Sequence, residues 1–195
     1  MRQKQALILA SSSPYRAALL DRLRIPYSIA TPEIDEASLA GEAPQATAQR
    51  LAMSKARAVA GRYTAALVIG SDQVAVVDGI AVSKPGTREG ALAQLATMRA
   101  RRIVFHTALC LLDTGADVCQ VESVPTTITF RDYSDAEAQR YVDAEPAYDC
   151  AGSAKIEAFG IVLVEKIESA DPTAIVGLPL IALVTMLRRA GVQIP

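Results

Sequence analysis

Apolar residues along the chain fall partly into short continuous runs and partly into stripes spaced three and four apart, a pattern that predicts strands and helices in alternation. The segment "ALILA" predicts a first buried strand. In "SSSPYRAALLDRL" that follows, Ser13 is placed as N-cap, Pro14 occupies the first helical position, and Ala17, Leu20 and Leu23 form the apolar stripe. "YSIA" reads as a weak second strand. Helical spacing returns in "PQATAQRLAMSKARAVAGRY" and "TREGALAQLATM", whereas "RRIVFHTALCLLD" and "VCQVESVPTTITF" flank "TGAD" as two long strands of an antiparallel hairpin. In "SDAEAQRYVDAE", Ser134 with Glu137 forms a capping box. "FGIVLVEKIE" reads as a further strand, and "LPLIALVTMLRRAG" as a closing helix with basic residues in its last turn and Gly191 just beyond. No repeat, low-complexity tract or long linker divides the chain. The expectation is therefore one mixed α/β domain over residues 1–195.

One stretch breaks the pattern. In "VIGSDQVAVVDGIAVSKP", two short apolar segments, "ALVIG" and "VAVV", flank a carboxylate, and the pair Asp78-Gly79 turns the second segment into "IAVSKP" as a tight hairpin. This places Asp72 and Gln73 where a core strand meets a hairpin. An ionised carboxylate there must be paired, bind a metal or carry a shifted pKa, and each alternative makes Asp72 a site candidate.

Composition narrows the partners. The 195 residues are 51% hydrophobic, enough to bury one compact core. Twenty basic residues against 21 acidic ones leave a net charge of −1, so the chain has no polybasic footprint for duplex nucleic acid or anionic lipid. A small molecule is the favoured partner. The start "MRQKQALILASSS" has too short an apolar run for the core of a signal peptide. "AIVGLPLIALVTML" is broken by Gly177 and Pro179 and falls short of the roughly 20 residues a membrane span needs. Cys110, Cys119 and Cys150 are odd in number and lack C-x-x-C spacing, which suits a reducing cytoplasm and small core residues. The single histidine, His106, lies in a strand pattern and is read as structural.

The remaining chemistry lies in carboxylates and cations. Glu33, Asp35 and Glu36 in "TPEIDEAS", with Asp72 and Glu157, are matched by Arg16, Lys55, Lys84 and Lys155 beside turns. Such a set suits phosphate chemistry: carboxylates hold a hard divalent ion, basic groups hold phosphoryl oxygens, and the ion lowers the pKa of an attacking water. "LASSSPYR" delivers hydroxyls and helix N-terminal amides as a phosphate cradle would, with Arg16 in reach; read blandly, it is a well-capped helix. Lys55 and Lys84 could each fold toward Asp72 or stay on the solvated surface. Acidic loop residues such as Asp35 and Glu36 are ordinarily solvated.

Seven segments in order, "LILASSSPYRAALL", "PEIDE", "RLAMSKA", "VIGSDQV", "SKP", "CAGSAKIEAFG" and "DPTAIVGLPL", resemble the Maf/YceF family of nucleotide pyrophosphatases over nearly the whole chain. The resemblance implies a mixed α/β fold with an elongated central sheet flanked by helices and a cleft between two lobes, in a cytoplasmic protein that is usually a homodimer. It implies cleavage of a nucleoside triphosphate between the α and β phosphates with a divalent cation, Mg2+ or Mn2+. By position, Asp72 matches the aspartate that activates water. Ser11, Ser13 and Arg16 match the triphosphate loop, Lys55 and Lys84 further phosphate-binding positions, and Glu33 joins Asp72 as a metal ligand. Tyr15, Gln73 and Glu157 resemble the base-selecting trio of the branch that cleaves 7-methyl-GTP, where Trp is common at the Tyr15 position. An aromatic face can stack on the cationic methylated guanine for about 0.5–2 kcal/mol, and Glu157 can accept from the guanine N–H edge. The implied role is removal of modified nucleotides from the pool; a dTTP/UTP pyrophosphatase and a nucleotide-binding regulator of septum formation are the alternatives.

Overall fold

A computed structural model describes residues 5–194, so the charged start at positions 1–4 lies outside the described residues. In chain order the elements are β1 (Ala6–Ala10), α1 (Pro14–Asp21), β2 (Ser28–Ile29), α2 (Pro44–Ala60), β3 (Ala66–Val77), β4 (Ile80–Val82), α3 (Arg88–Met98), β5 (Arg102–Asp113), β6 (Val118–Phe130), α4 (Asp135–Ala144), β7 (Val164–Ser169) and α5 (Leu180–Arg189). Among the described residues the strands form one mixed sheet in the order β2-β1-β3-β5-β6-β7, with β4 paired to β3. Strand β1 pairs in parallel with both β2 and β3, whereas the β3–β4 and β6–β7 pairs are antiparallel. The fold is thus mixed α/β, as the alternation of patterns predicts.

The chain divides into two compact units. The first comprises Met1–Gln73, Thr107–Val124 and Asp171–Pro195, and the second Val74–His106 and Pro125–Ala170. In the first unit, Leu9 and Leu20 pack with Leu67, Ile69, Leu109 and Leu183 in the buried core. Helix α5 is the buried closing helix that its apolar run predicts. Its end is a Schellman motif: Gly191 has φ 85°, its N–H donates to Arg188 O at 3.0 Å, and Val192 N–H reaches back to Leu187 O at 2.9 Å. Within the second unit, Leu95, Met98, Ile103, Phe105 and Phe130 are buried, and the Tyr133 hydroxyl donates to Leu95 O at 2.7 Å.

Local chemistry forms several elements as read. Ser13 caps α1 with Pro14 in its first turn, and Ser134 with Glu137 completes the capping box of α4. Asp78 and Gly79 both take positive φ, 48° and 80°, the geometry of the two-residue turn that joins β3 to β4.

Two expectations require correction. "ALVIG" and "VAVV" are not separate strands; β3 runs unbroken for 12 residues and carries Asp72 in its interior, not at a strand end. "FGIVLVEKIE" begins with a 3-10 turn at Phe159–Leu163 before β7 starts. Gly160 explains the second, because a Cβ there would meet Lys155 O at 2.6 Å, a tight backbone approach that an extended strand does not make. Among the described residues, no helix is long and apolar enough to cross a membrane.

Candidate active site

Side chains alternate across β3 with period two, so Gly70 and Asp72 share one face, and Ser71 and Gln73 share the other. The two faces meet different parts of the first unit.

On the Gly70 face lies α2. A Cβ at Gly70 would meet Ala52 O at 2.1 Å and Ala56 N at 2.9 Å, so only glycine lets the helix backbone approach this closely. Lys55 projects from the same helix stretch, with an exposure of only 5%, and its ammonium lies 2.6 Å from Asp72 Oδ1. The same Nζ is 2.8 Å from Glu36 Oε1. Asp72 is itself 6% exposed. Burial pushes its pKa above the ordinary carboxylate value, while the Lys55 and Arg16 charges pull it back down. A carboxylate balanced in this way is suited to accept a proton.

Where β1 ends, the chain passes through the three serines into α1. Ser11 Oγ, buried, accepts from Ser13 N–H at 3.1 Å and from Arg16 Nη1 at 3.4 Å. Ser13 Oγ caps Arg16 N–H at 3.4 Å, and Arg16 Nε donates to Gly177 O at 2.9 Å. The guanidinium is thus fixed by the serine loop and by a backbone carbonyl, and burial lowers its pKa against the favourable Asp72 and Glu36 charges. Both features of the cradle reading, hydroxyls and a cation at a helix N-terminus, are present together with the cap. Tyr15 is half-buried in the first turn of α1.

The Ser71 face meets the segment before α5. Ser71 Oγ lies 2.7 Å from Ala108 O and 2.9 Å from Gly177 O. Gln73 Nε2 lies 2.9 Å from Thr107 Oγ1 and 3.1 Å from both Ala174 O and Ile175 O, so its amide nitrogen is committed to backbone carbonyls and a hydroxyl.

Eight of the residues singled out from the sequence, Ser11, Ser13, Tyr15, Arg16, Glu33, Lys55, Asp72 and Gln73, belong to the first unit. Lys84 and Glu157 belong to the second, and both are exposed. Glu33 is exposed, and Glu36, three residues further along the same loop, is the carboxylate that reaches Lys55. Asp35 Oδ1 accepts from Ala37 N–H at 2.9 Å, a local turn bond, and Lys155 Nζ lies 3.9 Å from Asp149 Oδ1. His106 is half-buried, and burial lowers its pKa. Cys110 is buried, with its sulfur 3.1 Å from that of Cys119, whereas Cys119 and Cys150 are half-buried.

Sequence reasoning left Glu36 open and did not single out Ser71, Thr107 or Asp171. The spacing in "PEIDE" does not tell which of three acids faces inward, because a loop has no period. A signal for Asp171 was present: Asp-Pro-Thr shortly before an apolar helix lacking its own capping side chain.

Among the described residues no group of three or more His, Cys, Asp or Glu side chains could hold a metal ion. A magnesium-type ion needs fewer, because it keeps several waters and shares phosphate oxygens with one or two carboxylates. Asp72 and Glu36 converge on one ammonium, so the donor chemistry here fits such an ion bound together with a phosphate ligand.

Known proteins resemble this chain over most of its length. A 7-methyl-GTP pyrophosphatase of Cupriavidus metallidurans is 58% identical over 188 residues, covering 96% of this chain and 94% of that protein. One from Burkholderia thailandensis is 58% identical over 188 residues (95% and 87%), and one from Cupriavidus pinatubonensis 54% over 185 residues (95% and 93%). The family model described as Maf-like protein matches residues 6–190, and the chain belongs to that family.

Proposed function

We propose that this protein is a nucleoside triphosphate pyrophosphatase that hydrolyses 7-methyl-GTP to 7-methyl-GMP and diphosphate, and so clears a modified nucleotide. The observation that carries the reading is the buried Asp72 on Lys55, in the same unit as an Arg16 fixed beside Ser11. In this reading Asp72 takes a proton from water as the water oxygen bonds to phosphorus and the α–β anhydride bridge breaks. Ser11, Ser13, Arg16 and Lys55 hold phosphoryl oxygens, and their positive charge offsets the charge that develops there. Lys84 is proposed as a further phosphate-binding residue.

Asp72 with Glu33 or Glu36 would hold a divalent ion, Mg2+ or Mn2+. When bound, such an ion supplies charge neutralisation at the phosphates and a more acidic water. Tyr15, Gln73 and Glu157 are proposed to select the base: an aromatic face for a cationic purine, and acceptors for its N–H edge. The homodimer and the cytoplasmic setting are part of the same proposal, and support for them comes from the family resemblance.

The test is diphosphate release by the purified protein with Mg2+ or Mn2+, comparing 7-methyl-GTP with GTP, dTTP, UTP and CTP. A clear preference for 7-methyl-GTP is expected. Preference for dTTP or UTP would keep the chemistry and overturn the base selection; tight nucleotide binding with no diphosphate from any of them would overturn the enzyme reading and favour a regulator.

A further inference from the structure

Helix α5 begins at Leu180, and neither Pro179 nor any residue of its first turn caps it. Its first amides are satisfied from further back: Leu180 N–H donates to Thr173 Oγ1 at 2.8 Å, and Ile181 N–H donates to Asp171 Oδ2 at 2.7 Å. The other Asp171 oxygen accepts from Thr173 N–H at 2.9 Å and from the Thr173 hydroxyl at 2.6 Å. Both residues are buried, at 2% and 8% exposure. A carboxylate at a helix N-terminus gains from the dipole as well as from these bonds.

The clamp closes a loop, residues 173–179, whose carbonyls point at side chains. Gly177 O accepts from Arg16 Nε at 2.9 Å, and Ala174 O and Ile175 O each lie 3.1 Å from Gln73 Nε2. Thr107 Oγ1 joins them, donating to Ala174 O at 2.9 Å. Gly177 sits at φ 109°, so glycine supplies the backbone turn that brings its carbonyl to Arg16. An ordinary helix cap needs none of this. Here one loop holds two side chains that lie 57 positions apart in the chain.

We propose that Asp171, acting with Thr173, is a positioning residue: it fixes the 173–179 loop so that its carbonyls hold Arg16 for phosphate and Gln73 for base selection. The roles of Arg16 and Gln73 rest on the proposed function, whereas the clamp itself does not. A carboxylate suits the position because both oxygens must accept; the amide of asparagine offers one acceptor and turns two donors against N–H groups. Outer partners of metal ligands commonly change affinity or activity about 10- to 100-fold when lost, and a loss at the low end of that range is expected here.

The test uses Asp171→Asn, Thr173→Val and Thr173→Ser in the full chain, with two readouts. The first is the solvent-exchange rate of the Arg16 Nε–H and Gln73 side-chain amide signals in 15N NMR, identified by their loss in Arg16→Lys and Gln73→Glu. The second is kcat and KM for 7-methyl-GTP and GTP. Asp171→Asn and Thr173→Val should speed exchange of both side-chain signals. They should lower kcat/KM by about tenfold and change the ratio between the two nucleotides; Thr173→Ser, which keeps the hydroxyl, should restore both. Unchanged exchange in folded variants would overturn the proposal, as would a fall in activity that tracks only the folded fraction with the nucleotide ratio constant. If Asp171→Asn does not fold, the Thr173 pair decides. If the unmodified protein cleaves no nucleotide, the function falls and the exchange rates still decide the clamp.

Discussion

Asp72 and Asp171, two carboxylates of the first unit, are 6% and 2% exposed, and their partners differ in kind. Asp171 accepts from two backbone N–H groups and a hydroxyl, donors fixed by the chain itself. Asp72 meets an ammonium on a long side chain, and that ammonium is shared with Glu36. Neutral backbone donors stay where they are when a ligand arrives. A shared cation can turn toward an anionic phosphate and leave Asp72 able to take a proton, a change that burial favours because it already raises that pKa. Burial alone therefore does not separate the two carboxylates; the mobility and charge of their partners do.

The largest effect should come from Asp72→Asn. Replacing a general base by its isosteric amide removes about 100- to 10,000-fold in rate, and it also takes from the buried Lys55 ammonium one of its two carboxylates, leaving Glu36 at 2.8 Å. Expected is a collapse of kcat for diphosphate release, with a fall in thermal midpoint smaller than the one Lys55→Met produces, because Glu36 still pairs with the ammonium. The comparison breaks if Asp171→Asn lowers kcat more than Asp72→Asn does.

Next in size is Lys55→Met, which keeps the buried stem and deletes the charge. Leaving one partner of a buried pair alone commonly costs about 3–5 kcal/mol, unless the remaining group changes its protonation. Without Lys55, Asp72 loses the largest influence holding its pKa down, so the folded-state value rises further above the unfolded one. For an acid whose pKa is raised on folding, stability is complete below the unfolded pKa and is lost as pH rises through the folded one. Urea unfolding of Lys55→Met should therefore show a smaller deficit at about pH 5 than at about pH 8. An equal deficit at both would mean that the ammonium acts by packing alone.

These contrasts also show why parts of the site were readable and parts were not. Ser13 before Pro14, Ser134 with Glu137, Asp78-Gly79 and Gly191 are local chemistry, and each forms the cap or turn its neighbours specify. Strand β3 is not local. Gly70, Ser71 and Asp72 are poor strand formers, so the apolar pattern reads as two pieces. Parallel pairing of Leu9 with Ile69 and Ala10 with Gly70, and the close approach of α2, override that preference. The alternation that results sends Asp72 toward α2 and Gln73 toward the 173–179 loop. Once strand continuity is known, that division follows from the period of two; from two broken segments it does not. Glu36 was out of reach for a different reason, since its partner Lys55 lies 19 positions away on a helix.

The smallest expected effect isolates burial from pairing. Glu42 has a cationic partner too: Arg50 donates through Nε at 2.7 Å to Oε1 and through Nη2 at 2.8 Å to Oε2, and Thr47 Oγ1 and Leu39 N–H also donate to Oε2. Yet its pKa moves opposite to that of Asp72, from 4.5 down to about 2, because the hydrogen bonds from Arg50 outweigh the modest burial. An acid with a depressed folded-state pKa contributes stability that is present above the unfolded value and is lost as pH falls through the folded one. Glu42→Gln should therefore flatten the acid side of the stability curve between pH 4.5 and about 2, with a small change at neutral pH. Thermal midpoints across that window measure it. If the curve keeps its slope, the bidentate pair is not what holds Glu42 ionised; the rise at Asp72 could not then be credited to burial overcoming a cation, because the matched case of a cation overcoming burial would be missing.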